Sequence, residues 1–171
     1  MFELMLMRHA KSDWSSHCAD IDRALNDRGR KDAVRMGFLL NEKNIVPDRI
    51  VVSAAQRTQE TAELLLTSLP VPKKNIVIDK QLYLADRETL CEIIELYAIA
   101  DQRLLVLAHN PGMDDLVSYL ASKRPPLSAS GKLMTTCAVA CFRVESVGVL
   151  NKLGQCELKH LFRPGEIADN E

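Results

Sequence analysis

The sequence predicts an α/β protein, a three-layer α/β/α sandwich with a mostly parallel central sheet. Strand-like and helix-like segments alternate along the chain, the pattern of helices packed on the faces of a sheet. Two strand-like segments, residues 2–8 and 103–109, are apolar along most of their length and read as buried. No repeat, low-complexity tract or linker interrupts the 171 residues, so a single domain over 1–171 with a sizeable core is expected.

Each element follows from its pattern. Residues 2–8 form the first strand. Residues 28–43 carry Ala33, Met36, Gly37 and Leu40 at helical spacing, with Asn26 as the N-cap. Pro47-Asp48 punctuates, and residues 49–53 read as the second strand. From Gln56 to Ser68 the pattern is helical, with Thr58, Thr61, Ala62 and Leu65 on one side, and Pro70 and Pro72 end it. A short strand over 75–79 and an amphipathic helix over 87–100 precede the apolar strand at 103–109. Asn110-Pro111-Gly112 bounds that strand. The helix that follows has Asp114 and Asp115 in its first turn, where the macrodipole favours acids. Residues 123–131 are a Pro-, Ser- and Gly-rich loop, and strands over 137–145 and near 156–161 complete the sheet.

Composition narrows the function classes. Hydrophobic residues make up 47% and charged residues 26%, a globular balance that argues against disorder. The formal net charge of -1 gives no general grip on nucleic acid or on a membrane, so any anion site must be local. Cysteines 18, 91, 137, 141 and 156 form no CxxC pair or metal-ligand spacing, and fit free thiols in a reducing compartment. Cys137 and Cys141 fall on one face of a strand and read as core. The apolar start is short, contains Glu3 and runs into Arg8-His9, which does not suit a signal peptide. No stretch is long enough to span a bilayer. A cytoplasmic monomer is expected.

Three predicted strands end in residues suited to chemistry: Arg8-His9, the turn from Ser53 to Arg57, and His109. In open α/β sheets, ligands bind beyond the carboxyl ends of the strands. Any one of these ends alone would read as a capped or ion-paired residue; together they make an anion site. Arginine presents a planar fork that can hold two phosphate oxygens. A neutral imidazole can attack phosphorus in line while arginines and a second, charged imidazole neutralise the other oxygens. Such a site needs no metal or cofactor, and the sequence holds no P-loop, no magnesium-type carboxylate cluster and no zinc spacing.

Leu6-Met7-Arg8-His9-Ala10-Lys11-Ser12-Asp13-Trp14 resembles the RHG-type signature of the histidine phosphatase superfamily, most closely its SixA-like phosphohistidine phosphatase branch. Asp22-Arg23-Ala24-Leu25-Asn26-Asp27-Arg28-Gly29 is similar to the family's R-x-L-x-x-x-G segment. Ser53 to Ala62 matches its S-x-x-x-R-x-x-x-T-A helix start, and Ala108-His109-Asn110-Pro111-Gly112 its second-histidine turn. The resemblance implies a phosphoglycerate mutase-like fold. It also implies that His9 is the nucleophile, that Arg8 and Arg57 clamp the phosphoryl oxygens and that His109 completes the pocket. Arg23 would be a further pocket residue. Ser12 stands where mutase relatives keep a phosphate-lining serine, and equally suits a loop-capping hydroxyl.

Two departures bear on the substrate. Where mutase relatives have Leu-x-Glu, this chain reads Leu82-Tyr83-Leu84, and where acid-phosphatase relatives have Asp after the second histidine, it has Asn110. Neither usual proton donor is present. Asp79, Asp86 and Glu88 lie nearby and read as surface residues. An imidazole leaves phosphorus more readily than an aliphatic alkoxide, so the expected substrate is a phosphohistidine-bearing protein, as in a bacterial-type signalling relay. A phosphomonoesterase for small phosphorylated metabolites and a non-catalytic phosphate- or partner-binding module are the rival readings. Trp14 and Tyr83 read as packing residues beside the pocket mouth, and Lys11 as either added positive potential or a solvated charge. The Thr135-Thr136 pair reads as preceding a strand, with an approach to the site as the lesser reading, and His17 and His160 as bystanders.

Overall fold

A computed structural model describes residues 1–168, so the last three residues of the expected 1–171 domain lie outside the described residues. Six strands form one sheet: β1 (Phe2–Arg8), β2 (Arg49–Ser53), β3 (Ile76–Asp79), β4 (Arg103–Ala108), β5 (Val139–Val144) and β6 (Glu157–Phe162). Their order is β3-β2-β4-β1-β5-β6, and of these only β5 runs against the rest. The helices are α1 (Asp27–Glu42), α2 (Gln56–Leu65), α3 (Arg87–Tyr97) and α4 (Gly112–Leu120).

The strand pleat sorts the core into two halves. Leu4, Leu6, Leu104 and Val106 point to one face and pack with Ile94, Leu90, Leu116 and Val117 of α3 and α4. Met5, Met7, Leu105 and Leu107 point to the other and pack with Ala33, Met36, Leu40 and Leu65 of α1 and α2. Strands β1 and β4, covered on both faces, therefore read as nearly continuous apolar runs. The predicted apolar stripe of α1 is the buried one, and Asn26 caps the helix by accepting from the Gly29 amide at 2.8 Å. Gly37 lets α1 approach α2 closely, since a Cβ there would lie 2.4 Å from the Leu65 carbonyl oxygen.

Several boundaries differ from the sequence pattern for local reasons. Helix α2 stops at Leu65 rather than Ser68, because Thr67 and Ser68 bond back three residues, to Leu64 and Leu65, in a tightened last turn. Helix α3 stops at Tyr97, where Ala98 turns extended to lead the chain through a positive-φ Asp101 into β4. Strand β5 starts two residues late. Cys137 has φ +66°, and its amide is bound by the carbonyls of both Arg8 and His9, at 3.1 and 3.0 Å. Cys137 and Cys141 still share one core cluster. Cys91 and Cys156 are buried too, leaving Cys18 as the exposed thiol. No helix among the described residues is long and apolar enough to cross a membrane.

Candidate active site

The carboxyl ends of β1, β2 and β4 meet at one edge of the sheet, and the predicted residues meet there. Arg8 closes β1 and His9 follows it, its amide bonded to the Ala108 carbonyl at 3.1 Å. Ser53 closes β2, Arg57 stands in the first turn of α2, and His109 follows β4. The segment between β1 and α1 adds Ser12, Trp14 and Arg23. Together with Lys11, Asp20, Leu84, Asn110 and Thr136, all of these except Ser53 line a cavity of about 350 Å³. Gly29 fixes that segment against α1: a Cβ there would fall 2.1 Å from the Lys11 carbonyl oxygen.

The two imidazoles lie with ring centroids 5.2 Å apart. His9 Nδ1 lies 2.7 Å from the Ala10 carbonyl, which can only accept, so Nδ1 carries the proton and Nε2 keeps its lone pair. Burial, aided by the positive charges of Arg57 and Arg8, lowers the His9 pKa to about 3. His109 is fixed in the opposite sense. Its Nδ1 accepts from Arg57 Nη2 at 3.3 Å, so its Nε2–H donates to Ser53 Oγ at 2.7 Å. Burial and Arg57 lower its pKa to about 4. Burial first, and then the charge of Arg57, therefore disfavour the charged form of the second imidazole that the sequence reading assigned to it.

Arg57, only 2% exposed, spans the site: Nε reaches His9 Nε2 at 3.3 Å, and Nη1 donates to the Asp20 carbonyl at 2.7 Å. Arg8 donates through Nη1 to the Met134 carbonyl at 2.9 Å, while its Nε is buried without a partner. Arg23 lies 3.7 Å over the Trp14 ring and donates through Nη1 to Ser12 Oγ. Ser12 is therefore a buried pocket hydroxyl rather than a loop cap.

Asp20 is the residue that the sequence pattern missed. Its carboxylate pairs with Arg23 at 2.9 Å and Arg57 at 3.1 Å, and accepts from the Tyr83 hydroxyl at 2.6 Å. The Tyr83 hydrogen bond, with help from Arg23 and Arg57, holds the Asp20 pKa well below the usual carboxylate range. Tyr83 also meets His109 edge-on, with centroids 5.5 Å apart, so it is a site residue and not only packing. The nearby acids are otherwise engaged. Asp86 caps α3 by accepting from the Thr89 amide, Asp79 accepts from the Gln81 amide and Tyr97, and Glu88 pairs with Arg87. Asn110 donates to the Met134 carbonyl, and Leu84 is 57% exposed at the rim. His17 is exposed and His160 stacks on Phe162, both away from this cavity. Among the described residues no group of three or more His, Cys, Asp or Glu converges to hold a metal ion.

Two imidazoles and three arginines thus meet at the carboxyl ends of the strands, an arrangement suited to binding an anion. Residues 4–83 match the family model of the histidine phosphatase superfamily (branch 1), so the resemblance seen in the sequence is shown over the segment that supplies Arg8, His9, Arg23 and Arg57. The fold is that of the protein histidine phosphatase SixA, whose tungstate complex superposes with a TM-score of 0.78 at 20% identity, covering 95% of this chain and 97% of that one. A SixA-type protein from Agrobacterium tumefaciens gives 0.76 at 22% identity, covering 95% and 98%. Among curated sequences, the 2,3-bisphosphoglycerate-dependent phosphoglycerate mutase of Mycobacterium leprae (strain Br4923) is 42% identical over 66 residues, 37% of this chain and 27% of the mutase. The chain thus matches about a quarter of the length of these curated relatives.

Proposed function

We propose that this chain is a phosphatase that hydrolyses phosphohistidine on a protein, through a covalent intermediate on His9. The observation that carries this reading is the protonation pattern of the pocket. His9 Nε2 is unprotonated and faces Arg57. Asp20, the one carboxylate among the described residues that lines the cavity, is held ionised by Tyr83, Arg23 and Arg57 and is poorly suited to serve as an acid. Nε2 attacks phosphorus as the bond to the leaving nitrogen breaks, and the released imidazole keeps the electron pair and takes up a proton. Water then attacks the phosphoryl group on Nε2, releasing phosphate and the free histidine. Arg8 and Arg57 hold the oxygens, and His109 Nδ1 stands ready to bind a proton and share their charge. An alkoxide leaving group would need a placed acid, worth about 10²–10⁴-fold, and the positions of Leu84 and Asn110 supply none. Exposed Trp14 and Leu84 on the rim suit a protein surface better than a small metabolite. The binding of tungstate, an oxyanion like phosphate, by a protein of the same fold supports a phosphoryl site here.

The test uses a phosphohistidine-bearing protein, a phosphohistidine peptide and several phosphate esters, each with chelator present. Phosphohistidine should turn over fastest, and His9→Ala should lose about 10⁴-fold or more. Faster turnover of esters would favour the small-metabolite phosphomonoesterase, and activity that survives in His9→Ala would overturn the mechanism. No turnover at all would favour a binding module.

A further inference from the structure

We propose that Asp20 is an internal anion that occupies the phosphoryl subsite of the pocket, and that substrate must displace it. This rests on the reading of the pocket as a phosphoryl site. Arg57 spends Nη1 on the Asp20 carbonyl, and Nη2 on the Asp20 carboxylate as well as on His109 Nδ1. Arg23 spends Nη2 on the other carboxylate oxygen, and Tyr83 adds its hydroxyl. The Asp20 carboxylate thus already holds one terminal nitrogen of each arginine, Arg57 Nη2 and Arg23 Nη2, while Arg23 Nε is buried without a partner.

The two sides of this contact are not equally fixed. Arg57 and Arg23 are 2% and 8% exposed, held by the core and by the Trp14 ring. Asp20 opens a three-residue 3-10 turn, Asp20–Asp22, which has no side-chain cap and buries none of its residues. Its side chain is 44% exposed. The hydrogen bonds that tie this turn to Arg57, Arg23 and Tyr83 all run through Asp20, so in this proposal the carboxylate is the partner that moves.

Displacement makes Asp20 a specificity-determining residue. An incoming monoanion replaces one carboxylate by a group of equal charge and gains little. A dianionic phosphoryl group brings one more negative charge to Arg8, Arg23 and Arg57, two of which, Arg8 and Arg23, keep a buried Nε without a partner. The pocket therefore rejects carboxylates and other monoanions by prior occupation rather than by shape.

Inorganic phosphate and formate, titrated by calorimetry at pH 8, test this on the whole chain. Asp20→Asn should bind phosphate about tenfold tighter than wild type. It should also bind formate measurably, narrowing the ratio between the two anions. Tyr83→Phe should shift both in the same direction by less. Asp22→Asn, which removes the same charge from the same turn without touching the arginines, should stay within about twofold of wild type. Equal, weaker or absent phosphate binding in Asp20→Asn overturns the proposal, as does equal tightening in Asp22→Asn. In the wild-type protein, phosphate should move the Asp20 carboxyl and Ile21 amide NMR signals, and unmoved signals overturn it without any variant. Hydrolysis is measured separately. A wild type that shows this binding pattern but leaves phosphohistidine intact overturns the proposed function alone.

Discussion

His9 and His109 are held as opposite tautomers by groups that do not line the cavity. The Ala10 carbonyl takes the Nδ1 proton of His9, and Ser53 Oγ takes the Nε2 proton of His109. Ser53 was visible in the sequence only as part of a motif; its task became apparent from a 2.7 Å contact between residues 56 positions apart. Ser53→Ala leaves a buried N–H without an acceptor, which costs about 1–3 kcal/mol of stability. It also frees the ring to turn. Turnover of the preferred phosphorylated substrate should fall about tenfold or more, with far less change in phosphate affinity. Steady-state kinetics beside phosphate titration checks the split. Asp20 escaped the sequence reading because residues 13–22 have no periodicity, and an acid three residues before Arg23 reads as an ordinary local pair.

At the scale of elements, the strands and helices were legible because burial on both faces writes itself as apolar runs in β1 and β4. The predicted convergence of Arg8, His9, Arg57 and His109 followed from where those strands end. What was not legible is how the connection between α4 and β5 is secured. Arg163, just beyond β6, is 3% exposed and donates to the Leu133 carbonyl at 2.9 Å, to the Pro126 carbonyl, and to Glu166. The next carbonyl, that of Met134, receives Arg8 Nη1. A lone arginine after a strand carries no sequence signal for this, since the two acceptors in that connection are backbone atoms 30 and 37 residues away. Arg163→Ala should lower stability by about 2–3 kcal/mol in chemical denaturation. By loosening the support of Arg8, it should also weaken phosphate binding severalfold. A loss of stability with unchanged phosphate affinity would show that the two ends of this connection are independent.

The whole molecule answers to acid through its pocket. In the unfolded chain each histidine takes up a proton near pH 6.5, whereas folded His9 and His109 do so only near 3 and 4. The unfolded state therefore binds more protons below pH 6.5, and stability falls as the pH drops from there towards about 4. Asp20, depressed in the folded state, adds stability that persists above its ordinary carboxylate range and is lost below it. Urea unfolding at pH 5 should give a free energy at least about 2 kcal/mol lower than at pH 7.5, and a His9→Gln, His109→Gln double variant should flatten that slope. The five thiols divide in a way that offers a practical handle. Burial pushes Cys91 and Cys156 up to about 11 and Cys141 up to about 12, with Cys137 higher still, while Cys18 is exposed. A maleimide at neutral pH should add one mass increment to the native protein and five after unfolding, as intact mass spectrometry would count. The single tag would sit two residues before Asp20, so a dye there becomes an optical reporter of anion arrival without any cysteine having to be engineered.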